Sequence, residues 1–285
     1  TLQKIESIIK RSDVECLIVD DGSTDGTSKF VEEKYPSIIL IRHRKSKGYI
    51  HSRNEMLAMS NADYSISLDD DAHFLSYNIL INVEKHFSFN NNCGVIACRI
   101  FWGKEEPTSL CTNQRPMRVK GYVGCGHVWN MKAWRSIPDY PNWFVFYGEE
   151  EFASYQLFKN GWQVHYLPEI LVHHRVEISS RKSQKDYGAR LRRSLRSGWY
   201  NYLLFLPWSK VLRLFSYTLY IQLKTKVFKG DIRAAAAIVQ ALLDLTLHLP
   251  KLISERNPLS LKEFREYRSL AEVKVYWNPK DEKSK

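Results

Sequence analysis

Short apolar runs at 15–19, 38–41, 64–68 and 95–100 alternate with stretches of helical periodicity at 27–34, 50–59 and 76–89, and this alternation limits the fold more than any other property of the chain. A strand, a helix and a strand in succession are joined compactly by a right-handed crossover, which lays the strands parallel in one sheet with helices on its faces. The expectation is an α/β fold with a mostly parallel sheet flanked by helices. An amphipathic helix comes first, with Leu2, Ile5, Ile8 and Ile9 on one face. Beyond residue 100 the pattern predicts an irregular loop at 103–120 and a strand at 122–130. A short helix near Trp134, a helix over 150–160 stopped by Asn160-Gly161, and a strand at 163–167 follow. After His174 the strands cease and the sequence turns helical, basic and aromatic.

The third run, Ser65-Ile66-Ser67-Leu68, ends in Asp69-Asp70-Asp71. Carboxylates that repel one another become favourable around a hard cation, and ligands of open α/β sheets sit beyond the carboxyl ends of the strands. A solvated acidic turn would use the same residues. A calcium loop is excluded, because Phe74 and Leu80 stand where it needs Gly and Glu. An Asp-x-Asp pair remains, and the loop 103–120 is expected to lie over it.

Three further segments carry candidate chemistry. Asp20-Asp21-Gly22-Ser23-Thr24-Asp25-Gly26-Thr27 follows the first strand; its glycines permit a tight turn beside a ligand and its aspartates can accept hydrogen bonds from a base or ribose. An ordinary strand-to-helix turn fits it too. A phosphatase nucleophile loop does not, since Ser23 replaces the required aspartate. Glu149-Glu150-Glu151 opens a helix after Trp143-Phe144-Val145-Phe146, where acids offset the helix dipole, or where one glutamate, desolvated among aromatics, serves as general base. His173 and His174 close an extended segment and point to opposite sides, so one of them at most enters a site.

Charge divides the chain. Residues 1–174 hold 19 Lys and Arg against 21 Asp and Glu, whereas 175–285 hold 23 against 10, a net +13. The front suits a metal and a small molecule; the rear suits an anionic surface. Five cysteines without a close pair indicate neither a zinc site nor a disulfide framework and favour a reducing cytosol. The longest uncharged run of the C-terminal region, 197–209, has thirteen residues. A spanning helix needs about 20, so any membrane role is expected to be peripheral.

In this order and at these separations, the four segments resemble the family 2 inverting, nucleotide-sugar-dependent glycosyltransferases of the GT-A fold. The likeness covers residues 1 to about 174. It implies that Asp20 or Asp21 contacts the nucleotide, that Lys47-Gly48 and Arg53-Asn54 line the nucleotide pocket, and that Asp69 and Asp71 hold Mn2+ or Mg2+, with Asp70 among the donor-binding residues. Gly124-Cys125-Gly126 would border donor and acceptor. Gly148-Glu149-Glu150 stands in the place of Gly-Glu-Asp, so the catalytic base maps onto Glu150, with Glu149 and Glu151 beside it; His174 maps onto the metal or diphosphate contact. Members begin with an apolar strand ahead of the first helix. Here the sequence starts at that helix, so residues 1–178 are expected to form a catalytic domain lacking its first strand, followed by a basic helical region at 179–285.

The implied partners are a nucleoside-diphosphate sugar and a glycan or lipid-linked acceptor in cell-surface polysaccharide synthesis. Trp199, Tyr200, Tyr202 and Trp208 beside Arg190, Arg192, Arg193 and Arg196 also describe helices lying on an anionic membrane, at its cytoplasmic face. A packed helical hairpin with a solvated basic face is the plainer alternative. A nucleotidyltransferase would share the paired aspartates but normally carries a Gly-rich basic phosphate loop, which is not seen. A nucleic-acid-binding protein is disfavoured because the basic residues accompany large aliphatic runs.

Overall fold

The computed structural model describes residues 1–177, 183–274 and 276–282, so the expected boundary at 178 and 179 lies outside the described residues. A 3-10 turn, Leu2–Ile5, leads into α1 (Glu6–Ile9), and β1 (Leu17–Asp20), α2 (Thr27–Lys34), β2 (Ile39–Arg42), α3 (Tyr49–Met59) and β3 (Tyr64–Leu68) follow. Then come β4 (Ala72–Phe74), α4 (Ile79–Phe89), β5 (Cys93–Trp102), β6 (Met117–Val119), β7 (Gly126–Asn130), α5 (Met131–Trp134), α6 (Glu149–Lys159) and β8 (Gln163–His174). The C-terminal part is helical: α7 (Tyr187–Phe205), α8 (Trp208–Thr225), α9 (Ile232–Ser254), α10 (Leu261–Ser269) and α11 (Pro279–Glu282).

The layering is as expected, with helices against a sheet, but the sheet is mixed rather than mostly parallel. β1 and β2 form a parallel pair of their own, and the larger sheet runs β3-β7-β5-β8-β4, with β6 on β8. Only β5 and β8 pair parallel within it. The crossover through α4 does set β3 and β5 in one direction. β7, which arrives from an irregular stretch and not through a helix, inserts between them antiparallel to both. The sheet is therefore in two pieces, with β3 at an edge of the larger one.

β5 is buried along most of its length and divides the core by period two. Val95 and Ala97 join Trp129, Leu157 and Tyr166 on one face, while Ile96, Cys98 and Ile100 meet Val83 and Phe87 of α4 on the other. Tyr200, Leu204 and Phe205 of α7 and Phe264 and Tyr267 of α10 belong to the first of these clusters, so the C-terminal helices complete the central core. The segment 103–120 is irregular as expected apart from β6, and its Glu106 pairs with Lys4 and lies 3.7 Å from His73 Nε2. Its β6 pairs with β8, Val119 bridges Ala271, and Thr112 bonds Glu282, which draw it toward the C-terminal segment. α9 is long and apolar enough to cross a membrane by length and composition, which the count of uncharged residues missed because Asp244 interrupts it.

Candidate active site

Two of the predicted segments meet at strand ends. β3 stops at Leu68 and releases Asp69, and β8 ends at His174, which pairs with Ala72 across the ladder, so its ring comes up beside Asp71. His174 Nε2 lies 3.0 Å from Asp71 Oδ1 and 4.0 Å from Asp69 Oδ2. Ligand atoms of Asp69, Asp71 and His174 all fall within 4.8 Å of one another. The hydrogen bond from His174 holds the Asp71 carboxyl below its ordinary range. Asp70 is exposed, and its main-chain oxygen accepts from Thr1 Oγ1. The alternation expected of the two histidines is observed: His173 faces away, its Nε2 2.7 Å from Gly103 O.

Arg53, on α3, joins this group to the glutamates. It is buried, pairs with Asp69, donates to Gly124 O at 3.2 Å and lies over the Tyr49 ring at 5.0 Å. Glu150 Oε1 packs over Gly124 so closely that a Cβ there would force the glutamate to shift, and it would come 3.1 Å from Tyr49 Oη. Asp69, Arg53, Gly124 and Glu150 therefore form one continuous chain of contacts.

The three glutamates at the start of α6 have different surroundings. Glu151 is held by Asn201 Nδ2 at 3.1 Å and Tyr155 Oη at 3.4 Å, within the packing against α7. Glu149 is 4 % exposed, and its Oε2 has no hydrogen-bond partner. Burial, then the neighbouring Glu150 carboxylate, pushes its carboxyl well above the ordinary value. Glu150 faces Gly124, and burial likewise raises its carboxyl. α7 forms the wall behind them: Asn201 also donates to Gly148 O at 2.9 Å, and a Cβ on Gly148, where φ is +84°, would meet Ser197 at 2.8 Å.

Because the Glu149 proton affinity is raised in the folded state, its stabilising contribution is complete below the unfolded carboxyl range near pH ~4.3 and is lost as pH rises through the folded value. Glu149→Gln is therefore expected to stabilise the protein at pH 8 by about 1–3 kcal/mol, the cost of a buried unpaired polar group, with the gain shrinking toward pH 4. Thermal melts of both proteins across that range check it; an unchanged difference at the two pH values refutes it.

Beyond the end of β1, both predicted aspartates are engaged by protein donors. Asp20 accepts from Ser23 N at 2.8 Å and from Ser28 Oγ, closing its own loop. Asp21 accepts from His43 Nδ1 at 2.7 Å, Ser46 Oγ at 2.6 Å, Lys47 N at 2.8 Å and Gly48 N at 2.9 Å. Burial pushes its carboxyl up, but these four bonds outweigh it and hold it far below the usual range. His43, whose other nitrogen meets Glu55 at 2.7 Å, escaped the sequence reading because its partners lie 12 and 22 residues away. Lys47 lines an open basic cavity of about 540 Å³ with Arg42, Arg44 and Lys45. Gly22 has φ +89°, and a Cβ there would sit 2.8 Å from Ser46 N. Gly22→Ala is expected to cost about 1–3 kcal/mol in strain, measured as a lower denaturant midpoint; an unchanged midpoint refutes it.

Residues 1–121 match the family model described as glycosyl transferase family 2. The match covers 121 of the 285 residues. Over 121 residues the chain is 34 % identical to the teichoic acid poly(glycerol phosphate) polymerase of Staphylococcus epidermidis, a match that spans 40 % of this chain but 15 % of that relative. Among solved structures, GalNAc-T7 in complex with UDP, GalNAc and Mn2+ superposes with a TM-score of 0.59 at 13 % identity, over 88 % of this chain and 54 % of that one. S. aureus TarS 1–349 in complex with UDP superposes at 0.51 and 14 % identity, covering 80 % and 70 %. These structural likenesses establish the fold, which is GT-A.

Proposed function

We propose that this chain is a family 2 inverting glycosyltransferase that moves a sugar from a nucleoside-diphosphate sugar to a hydroxyl of a glycan or lipid-linked acceptor in the synthesis of a cell-surface polymer. The observation that carries the reading is the contact chain from Asp69 through Arg53 and Gly124 to Glu150, which couples a cation-type donor set to a carboxyl raised by burial. The family match and the teichoic acid polymerase relative support the class of product.

The donor set fits the metal. Two carboxylates and an imidazole with atoms within 4.8 Å suit Mn2+, and the carboxylates alone suit Mg2+. Asp69, Asp71 and His174 would hold it, and the ion supplies charge neutralisation for a departing diphosphate. Glu150 accepts the proton of the acceptor hydroxyl at its carboxylate, and the freed oxygen attacks the anomeric carbon from the face opposite the diphosphate, inverting its configuration. Arg53 keeps Asp69 and the Gly124 backbone in register, and Tyr49 and Phe146, with ring centroids 5.2 Å apart, wall this junction.

A panel of sugar nucleotides with Mn2+ or Mg2+, read as release of free nucleoside diphosphate, tests the reading. Release of pyrophosphate from a nucleoside triphosphate instead would favour a nucleotidyltransferase. The reading extends to peripheral attachment at the cytoplasmic membrane face. Ile232, Val239, Leu243 and Leu247 form an exposed stripe along α9, accompanied by exposed Leu212, Tyr217 and Tyr220 on α8. Basic residues nearby contribute about 1 kcal/mol each at an anionic surface. Flotation with anionic liposomes is expected; no binding at low salt would overturn this part.

A further inference from the structure

Beside the glutamates lies a basic cavity that the reaction above does not use. It measures about 420 Å³, sits between α7 and α9, and is lined by Lys185, Arg192, Arg193, Arg196, Arg233 and Val145 among others. Five cations line it, and the carboxylates near them include Asp244, which receives Arg192 Nε at 2.7 Å and Nη2 at 2.5 Å and Arg196 Nη1 at 3.3 Å, and Asp186, which pairs with Arg190 and feels the charge of Arg193. Lys185 and Arg193 have no carboxylate bonded to them among the described residues. Such an excess of positive charge around a concave space is neutralised most readily by a bound anion.

Two independent observations point the same way. Arg196 is 8 % exposed, and its Nε has no acceptor although Nη2 donates to Phe144 O at 2.6 Å. A buried guanidinium N–H without a partner is costly, and an anion oxygen in the cavity would satisfy it. In addition, the loop that Arg196 grips is strained. Val145, which lines the cavity, has φ +68° and Tyr147 has φ +71°, a conformation that side-chain-bearing residues adopt at a cost. This loop runs directly into Glu149 and Glu150. An occupant of the cavity thus touches the segment that positions the acceptor-side base, whereas Asp71 and His174 mark the donor diphosphate at the other end of the contact chain.

We propose that the cavity between α7 and α9 is a phosphate-binding subsite for the acceptor, so that the substrate receiving the sugar is anionic and carries its phosphate a short distance from the reacting hydroxyl. This rests on the glycosyltransferase reading above. The phosphate has two chemical sources, a phosphodiester within a polymer or the diphosphate of a lipid carrier, and both present the oxygens that arginine forks recognise.

The test uses the full chain and three probes: a synthetic glycerol phosphate oligomer, a polyprenyl diphosphate in neutral phosphatidylcholine vesicles, and an uncharged oligosaccharide of similar length. The wild-type protein is expected to bind one of the first two at least tenfold more tightly than the third. The oligomer would identify a polymer phosphodiester and the vesicle a carrier diphosphate. Lys185→Glu with Arg193→Glu should weaken that binding at least tenfold, and the milder Lys185→Gln with Arg193→Gln, retained in case charge reversal disturbs folding, should weaken it severalfold. Slow hydrolysis of the sugar nucleotide in the absence of acceptor should remain unchanged in both. Equal affinity of the variants and the wild type, or no preference of the wild type for either phosphate probe, overturns the subsite. Failure of the wild type to release nucleoside diphosphate from every donor would instead overturn the glycosyltransferase reading and would leave these binding results standing on their own.

Discussion

Glu150→Gln is expected to lower sugar transfer by about 10²–10⁴-fold, the contribution of a positioned general base, with nucleotide binding in the presence of Mn2+ unchanged. The substitution is nearly isosteric, so the side chain still covers Gly124. What is lost is the capacity to take a proton. Because burial raises the Glu150 carboxyl above its ordinary value, the base is ionised only at higher pH than a free glutamate would be, and the acid limb of the wild-type kcat profile should lie above pH ~4.5. Glu151 is an informative control: its bonds to Asn201 and Tyr155 direct it into the α7 packing, so Glu151→Gln should act mainly on stability. Retained transfer in Glu150→Gln would move the base to Glu149.

The second large effect concerns the cation group. Asp71→Asn is expected to weaken Mn2+ binding and transfer by at least about tenfold, since one charged ligand of three becomes a neutral amide. Folding stability should change little, because Asp71 is partly exposed and its partner is His174. Asp69→Asn should do both kinds of damage. Its carboxylate is the ion-pair partner of Arg53, whose side chain is 6 % exposed, and breaking a buried pair costs about 3–5 kcal/mol. Electron paramagnetic resonance of free Mn2+ separates the affinities and denaturant melts separate the stabilities. Equal Mn2+ binding in wild type and Asp71→Asn would remove Asp71 from the metal site, and equal melts for the two variants would remove Arg53 from its bracing role.

The Glu149, Glu150 and Glu151 series shows where sequence reasoning stops. All three stand at one helix start and look alike in a linear pattern, yet one is tied to Asn201, one is buried with its Oε2 unpartnered, and one covers Gly124. The difference comes from α7, about 50 residues further on, which the sequence presented only as a basic, aromatic helix. Asp20 and Asp21 make the same point. Their type and strand-end position were legible, but the donors that occupy them come from the following turn and from the segment at 43–48.

Side-chain periodicity is a local property, so the sequence by itself placed most helices and the centres of most strands, set Asp69 and Asp71 just beyond a strand, and turned His173 and His174 apart, but it missed β4 and β6 and stopped the last strand at 167, short of His174. Strand direction and side-chain partnership depend on which distant segments fill the remaining space. Only the tertiary structure decided that β7 enters antiparallel between β3 and β5. It alone placed Arg53 between the aspartates and Gly124 and used α7 both as the wall behind the glutamates and as one side of a basic cavity. Those contacts join residues from 16 to 71 positions apart, where packing and charge pairing, not propensity, select the arrangement.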